Sequence, residues 1–371
     1  MKTGLSLPAF TLIVWGLLAS SLMGCVGNPY NKNFSPKKAP KIEQTRVISH
    51  IDQDSLYAQF ESQYTQVNGG FLLGNIVTLA TTFVTTLIDY NISKSNRDEA
   101  QAAIKPVLSS LRATNIDAVL HSSFHRNVKQ VPRLSIAAYE AFKNDDAILD
   151  YRVRNQIIEN SPEHSLLVLT SNYSLTPNFR ALNVTTIAQL FTKDSFEMYR
   201  GRRYYLPVYY NKFIFQSAKL SDPQISTEEA ERRIAGLRTR YNLLLRNRSS
   251  NDKVFQQLKA KEQAIWDLTR LSSLQKKEIS ALAWASNDGR LIRTTLSRGA
   301  EEIMAMIQLD MMNTQPLNLG LFGRDDMVLF ETNERVIRRK LNGEDIGILI
   351  SSAKDDAINI GGVVYEPVIL P

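Results

Sequence analysis

Cys25 is the only cysteine among the 371 residues of the chain. No internal disulfide can form, and zinc sites built on cysteine pairs are excluded. The fold must therefore be held by an apolar core. The chain can supply one, because 43% of its residues are hydrophobic and 22% charged, close to the average for globular proteins. Its length suits two compact domains, or one domain with a large insertion. The formal charge is +7, from 44 Lys and Arg against 37 Asp and Glu. That excess suits anionic surfaces such as phosphate-bearing lipid headgroups or glycans. It forms no basic stripe dense enough to argue for a nucleic-acid partner.

The lone cysteine has a distinctive setting. After Lys2 there is no charged residue from Thr3 to Asn31, and Leu5 to Leu18 forms an apolar centre. That centre has the length of a signal-peptide h-region and is short for a spanning helix. It ends in Leu22-Met23-Gly24-Cys25. This arrangement resembles the lipobox of bacterial lipoproteins: an aliphatic residue three before the cysteine, a small one just before it, then Cys. The resemblance implies that residues 1–24 are an export signal. It also implies that Cys25 carries the lipid, as diacylglycerol on sulfur and an acyl chain such as palmitate on the new amine. With Val26 rather than Asp after the cysteine, it implies sorting to the outer membrane, facing the periplasm, in a Gram-negative host. Residues Val26 to Lys41 mix Pro, Gly, Asn and Lys and read as a tether.

The expected fold class is α+β: a mixed α/β body with a mainly antiparallel sheet, a long helical hairpin and a small C-terminal β meander. The corresponding divisions are a lipidated flexible tether over 25–50, the body over 51–222, the hairpin over 223–286, and a helix with a β-rich tail over 287–371. Within the body, Asp52–Tyr64, Arg97–Leu120 and Arg133–Lys143 read as helices, with a kink or new start at Pro106. Leu166–Leu169 and Val184–Phe191 read as strands separated by turn-rich sequence. Tyr204–Tyr210 and Phe213–Ser217 suggest a β-hairpin turning at Asn211-Lys212.

No charge occurs between Glu61 and Asp89. This segment, with Gly69, Gly70, Gly74 and Phe83, is long enough to enter a membrane or an oligomer interface. A helix buried in the core is the plainer reading of its five threonines and Asn75. Ser226-Thr227-Glu228-Glu229 has the form of a capping box. From there Ala230, Ile234, Leu237, Tyr241 and Leu244 step by four and three, the rhythm of a two-helix seam. A second arm runs from Val254 to Leu282. Asn287-Asp288-Gly289 then makes a turn into a last helix, Leu291–Met312. Strands are expected at 327–331, 335–341, 346–350 and 358–364, with Asn342-Gly343 as a hairpin turn.

The chain offers little catalytic chemistry. Of four histidines, His121 and His125 lie one helical turn apart but have no third ligand in sequence, so capping or surface roles account for them. Ser351-Ser352-Ala353-Lys354 matches S-x-x-K without its supporting motifs. There is no phosphate-binding loop, dinucleotide fingerprint or nucleophile elbow. No catalytic residue, metal site or cofactor is assigned. The most suggestive cluster spans Phe196 to Phe215, where aromatic rings alternate with cations. Arg200, Arg202, Arg203, Tyr205, Tyr209 and Lys212 are its candidate binding residues, through stacking on sugars, cation–π contacts or a protein interface. The expected role is an anchored envelope lipoprotein that contacts a protein or glycan partner, or forms a homo-oligomer. A membrane-inserting protein and a glycan-acting enzyme are the alternatives.

Overall fold

The structure, a computed structural model, describes residues 42, 44–53, 55–62, 98–112, 114–131, 134–143, 150–232, 235, 260, 270–312, 326–341, 347–354 and 364–367. The export signal, Cys25, residues 69–88, most of the helical hairpin and the Asn342-Gly343 turn lie outside the described residues. Helices and a mixed ten-stranded sheet make up the fold, as the α+β reading expects.

The sheet is organised around β4 (Ser165–Leu175) and the long hairpin of β5 (Leu182–Tyr199) and β6 (Arg202–Gln216), which pair antiparallel. On the other side of β4 lies β1 (Thr45–Ile51), parallel to it, and then β3 (Ile136–Lys143), parallel to β1. β2 (Tyr57–Ser62) continues along β4 beyond β1. The chain crosses from β1 to β2 beside Tyr173, and Gln53 bridges the break. Its Nε2 donates to the Tyr173 carbonyl at 3.1 Å and its Oε1 accepts the Tyr173 amide at 2.7 Å. A side-chain amide thus takes the place of a missing strand residue.

Beyond β6 come β9 (Leu349–Ala353), parallel to it, then β8 (Arg335–Arg339) and β7 (Met327–Glu331), both antiparallel to their neighbours. β10 (Val364–Pro367) pairs with β2. The C-terminal meander therefore forms one continuous sheet with the body.

Three helices cover one face: α1 (98–111), α2 (Ile116–Val128) and α4 (Ser273–Met312). Ile104, Val107, Leu120, Phe124, Leu296, Ile303 and Ile307 pack there against Val47, Leu167, Leu190 and Phe213. Gly299 lets α4 approach the sheet closely, since a Cβ there would lie 2.8 Å from Phe215 and 3.0 Å from Val184. The opposite face carries a smaller cluster, in which Ile158 of α3 (Tyr151–Asn160) meets Ile48, Leu166, Val168, Phe191 and Tyr205. α4 is broken at Ser286–Gly289, where Asn287, Asp288 and Gly289 are left-handed. This is the turn that the Asn-Asp-Gly sequence predicts.

Several local expectations are corrected. Residues 45–50 are not tether but most of β1, a central strand almost wholly buried because both faces are covered, Val47 and Ile51 packing in the helical face and Ile48 in the α3 cluster. Asp52–Tyr64 contains β2 rather than a helix. Arg133–Lys143 contains β3, whose helix-favouring alanines are overridden by pairing with β1. The break between α1 and α2 falls not at Pro106 but at Asn115, which caps α2 by accepting the Ala118 amide at 3.0 Å. Asn211-Lys212 is not a turn, because β6 runs through it without interruption. The hairpin turns at Arg200-Gly201, with φ 48° and 76°, as a two-residue hairpin loop requires.

Candidate binding surface

The β5–β6 hairpin outruns the sheet. β4 begins at Ser165, opposite Thr192, and beyond that point β5 and β6 pair only with each other. The ladder is irregular between Phe191 and Phe196, where four residues of β5 oppose Leu206 alone. A bulge of this kind re-aims the strands that follow it. Directly paired residues share a face, so Phe196 and Met198 lie on the same side as Tyr205 and Arg203.

α3 braces this projecting segment. Asp150 caps it by accepting the Arg152 amide at 2.8 Å, and Asn155 donates to the Arg203 carbonyl at 2.8 Å. The Tyr151 and Tyr204 rings meet at 5.6 Å, while the Arg154 guanidinium lies 4.8 Å from the Phe191 ring centre. Burial lowers the pKa of Arg154 from its ordinary value. At the tip, the Arg203 guanidinium sits 4.9 Å from the Phe196 ring centre, a cation–π distance.

The surface is consequently aromatic and cationic together. Met198 is 62% exposed, and Tyr151, Phe196 and Tyr204 are each about two-fifths exposed. Arg152, Arg200, Arg202 and Arg203 are exposed among them. Glu197 is the one carboxylate between Ser195 and Pro207.

Of the six residues singled out from sequence, Arg200, Arg202 and Arg203 come together here. Lys212 is half-buried and lies well down β6. Tyr205 and Tyr209 are not surface residues. Tyr205 is 2% exposed and packs in the α3 cluster, and Tyr209 is fully buried under α4. Tyr151 and Arg152 were not singled out, because nothing local in the sequence brings α3 to the hairpin.

Three buried polar networks lie elsewhere. Asp310 of α4 accepts hydrogen bonds from Tyr209 Oη and Asn211 Nδ2, both at 2.7 Å, and pairs with Arg339 of β8. Burial first, and then Asp310, pushes the Tyr209 phenol well above its usual range. Two turns earlier on α4, Glu302 receives Arg335 at 2.8 Å and the Ser351 hydroxyl. Ser351 is thus occupied in a structural pair, while Lys354 pairs with Glu331 at 2.7 Å. The S-x-x-K match is therefore a stretch of strand held by ion pairs.

In the third network His121 lies 3.0 Å from the Ser49 hydroxyl, with Asp117 one turn away accepting from Tyr173 at 2.6 Å. His121 is buried rather than a surface or capping residue, and burial holds its pKa below the usual value. Exposed His125 stacks on Tyr139 at 4.6 Å. Ser49 is wholly buried on a central strand and His121 is nearly so, which makes the Ser–His pair part of the packed interior.

A separate cleft is lined by Glu99, Arg180, Asp222, Lys276 and Lys277. Its charges pair with one another: Lys276 with Asp222 at 3.0 Å, Lys277 with Glu99 at 3.3 Å, and Arg180 with Asp222 at 3.6 Å. Among the described residues, no cluster of three His, Cys, Asp or Glu side chains is placed to hold a metal ion, and no helix is long and apolar enough to cross a membrane. In comparisons with known proteins, no family model, no curated protein and no solved structure matches this chain.

Proposed function

We propose that the chain is a membrane-anchored lipoprotein of the bacterial cell envelope with a structural, assembly or binding role. Lipidated Cys25 is its anchor, and the tip of the β5–β6 hairpin is the surface by which it meets envelope partners. The observation that carries the binding role is the tip itself. Phe196, Met198 and Arg203 on one face of the hairpin, and Tyr204 and Arg202 on the other, remain exposed with Arg200 at a tip braced by α3. Exposed aromatic and arginine side chains grouped in this way favour an interaction surface over a merely solvated one.

A photo-crosslinking residue at Phe196 in living cells tests this reading. Capture of a defined envelope component, lost on Arg203→Glu, is expected. No capture, together with turnover of cell-wall substrates by the purified protein, would defeat it.

The membrane-inserting alternative rests on the charge-free stretch from Ser62 to Ile88. Protease protection of that stretch in intact membranes would favour it. The glycan-enzyme alternative is weakened, because Tyr205 and Tyr209, two of the six candidate binding residues, are buried.

A further inference from the structure

The place where the chain enters the sheet has a bearing on what the hairpin can touch. Thr45, the first residue of β1, is in register with Ser165 of β4, which is in register with Thr192 of β5. The Ser165 amide also donates to the Gln44 carbonyl at 3.1 Å, and the Lys193 amide to the His164 carbonyl at 3.1 Å. The N-terminal segment therefore reaches the fold at the end of the sheet from which the hairpin projects. From Thr192 to the turn at Arg200 the hairpin advances roughly 20 Å, allowing for the bulge.

Sixteen residues lie between Cys25 and Ile42. A segment of that length can reach at most about 55–60 Å. A lipid on Cys25 would tie this end of the sheet to the bilayer within that reach, and the hairpin projects from the same end.

The tip has the side chains for such a surface. Met198 is the most exposed large hydrophobic residue among those described, and it stands with Phe196, Tyr151 and Tyr204 at the same end. Aromatic rings with polar edges settle at lipid–water interfaces, and arginines beside them meet anionic headgroups. Three arginines against Glu197 alone between Ser195 and Pro207 give the tip the complementary sign. A folded protein partner would be met equally well by a tip at either end of the sheet. A bilayer partner makes direct use of its position beside the tether.

We infer that the β5–β6 tip is a second membrane contact. It dips end-on, with Phe196 and Met198 on one face of the hairpin and Tyr204 on the other at the lipid–water interface of the bilayer that holds the Cys25 lipid, and Arg200, Arg202 and Arg203 against anionic headgroups. This deepens the proposed function and rests on the reading of Cys25 as the anchor.

The test uses the full lipidated protein in vesicles. Because Cys25 is the only native cysteine and its sulfur is blocked by lipid, Met198→Cys introduces a single thiol for an environment-sensitive fluorophore. Asn172→Cys, exposed on β4 towards the other end of the sheet, is the control. In vesicles containing phosphatidylglycerol, the label at 198 should shift to the blue and be quenched by lipid-borne nitroxides, while the label at 172 stays aqueous. Arg202→Glu should reduce the shift at 198, as should replacing the anionic lipid by phosphatidylcholine.

An aqueous label at 198 in anionic vesicles would overturn the inference. So would a shift that appears only when a soluble cell-wall glycan or a protein partner is added. The mass of the N-terminal peptide separates the two readings. An unlipidated Cys25 defeats the anchor, whereas a lipidated Cys25 with an aqueous tip defeats the tip contact alone.

Discussion

Tyr209 donates a 2.7 Å hydrogen bond to Asp310, joining the middle of β6 to the last turn of α4 with both side chains withdrawn from solvent. Asp310 also holds Arg339 of β8, so one carboxylate ties the long hairpin, the covering helix and the C-terminal strands together. The same bond removes Tyr209 from the binding surface, leaving the tip further along β6 to serve that role.

Removing one member of this buried pair should be costly, because it leaves an uncompensated charge in the core. Arg339→Met and Asp310→Asn should each destabilise the fold by about 3–5 kcal/mol. The double variant should lose much less than the sum. Urea denaturation of the three variants measures the coupling.

Met198→Asp should leave stability within about 0.5 kcal/mol of the parent, as expected for an exposed position away from the core. Tyr205→Ala should cost about 3–5 kcal/mol, because it empties a buried aromatic site. Thermal unfolding of the two variants separates tip from core within one hairpin.

Stability should fall on mild acidification. The His121 pKa is depressed below 6.5, chiefly by burial and also by His50, with Asp117 opposing. The unfolded chain therefore takes up a proton first, and stability drops as pH falls below 6.5. At the alkaline end, burial raises the Tyr139 phenol to about 12 from 10.0. Its contribution is intact below pH 10 and is lost as pH rises from there to about 12. Denaturation midpoints across both windows check the signs. His121→Gln should flatten the acid limb and leave the alkaline one.

Gly299→Val should destabilise by about 1–3 kcal/mol or more, because overpacking would force α4 off the sheet. A Cβ at 299 already lies 2.8 Å from Phe215, inside contact distance. Gly201→Asn should cost far less, since nothing lies within 4 Å of that position and Asn tolerates its positive φ. Chemical denaturation of the two variants tests whether space or backbone angle sets the need for glycine.

What the sequence disclosed followed from local signals. Leu166–Leu169 and Val184–Phe191 announce β4 and β5 by apolar, β-rich runs, and Asn287-Asp288-Gly289 announces the break in α4. β1 and β3 were hidden because their strand character depends on parallel pairing between segments far apart in sequence. Ile136-Ala137-Ala138 has helical propensity until β1 lies beside it. The tyrosines show a subtler limit. Alternation alone would put Tyr205 and Tyr209 on one face, but the register shift at Leu190–Phe191, which leaves Val208 of β6 without an opposite residue, sends them to opposite faces, and both are buried. The tip surface was legible through its arginines and the aromatic run that begins at Phe196, but not through Tyr151 and Arg152, which join it by the packing of α3.

The central claim is most directly tested by mass spectrometry of the N-terminal peptide of the protein extracted from its native membrane. The account predicts a chain that begins at Cys25 and carries diacylglycerol on that residue. A peptide that retains the export signal, or one that begins at an unmodified Cys25, would contradict it.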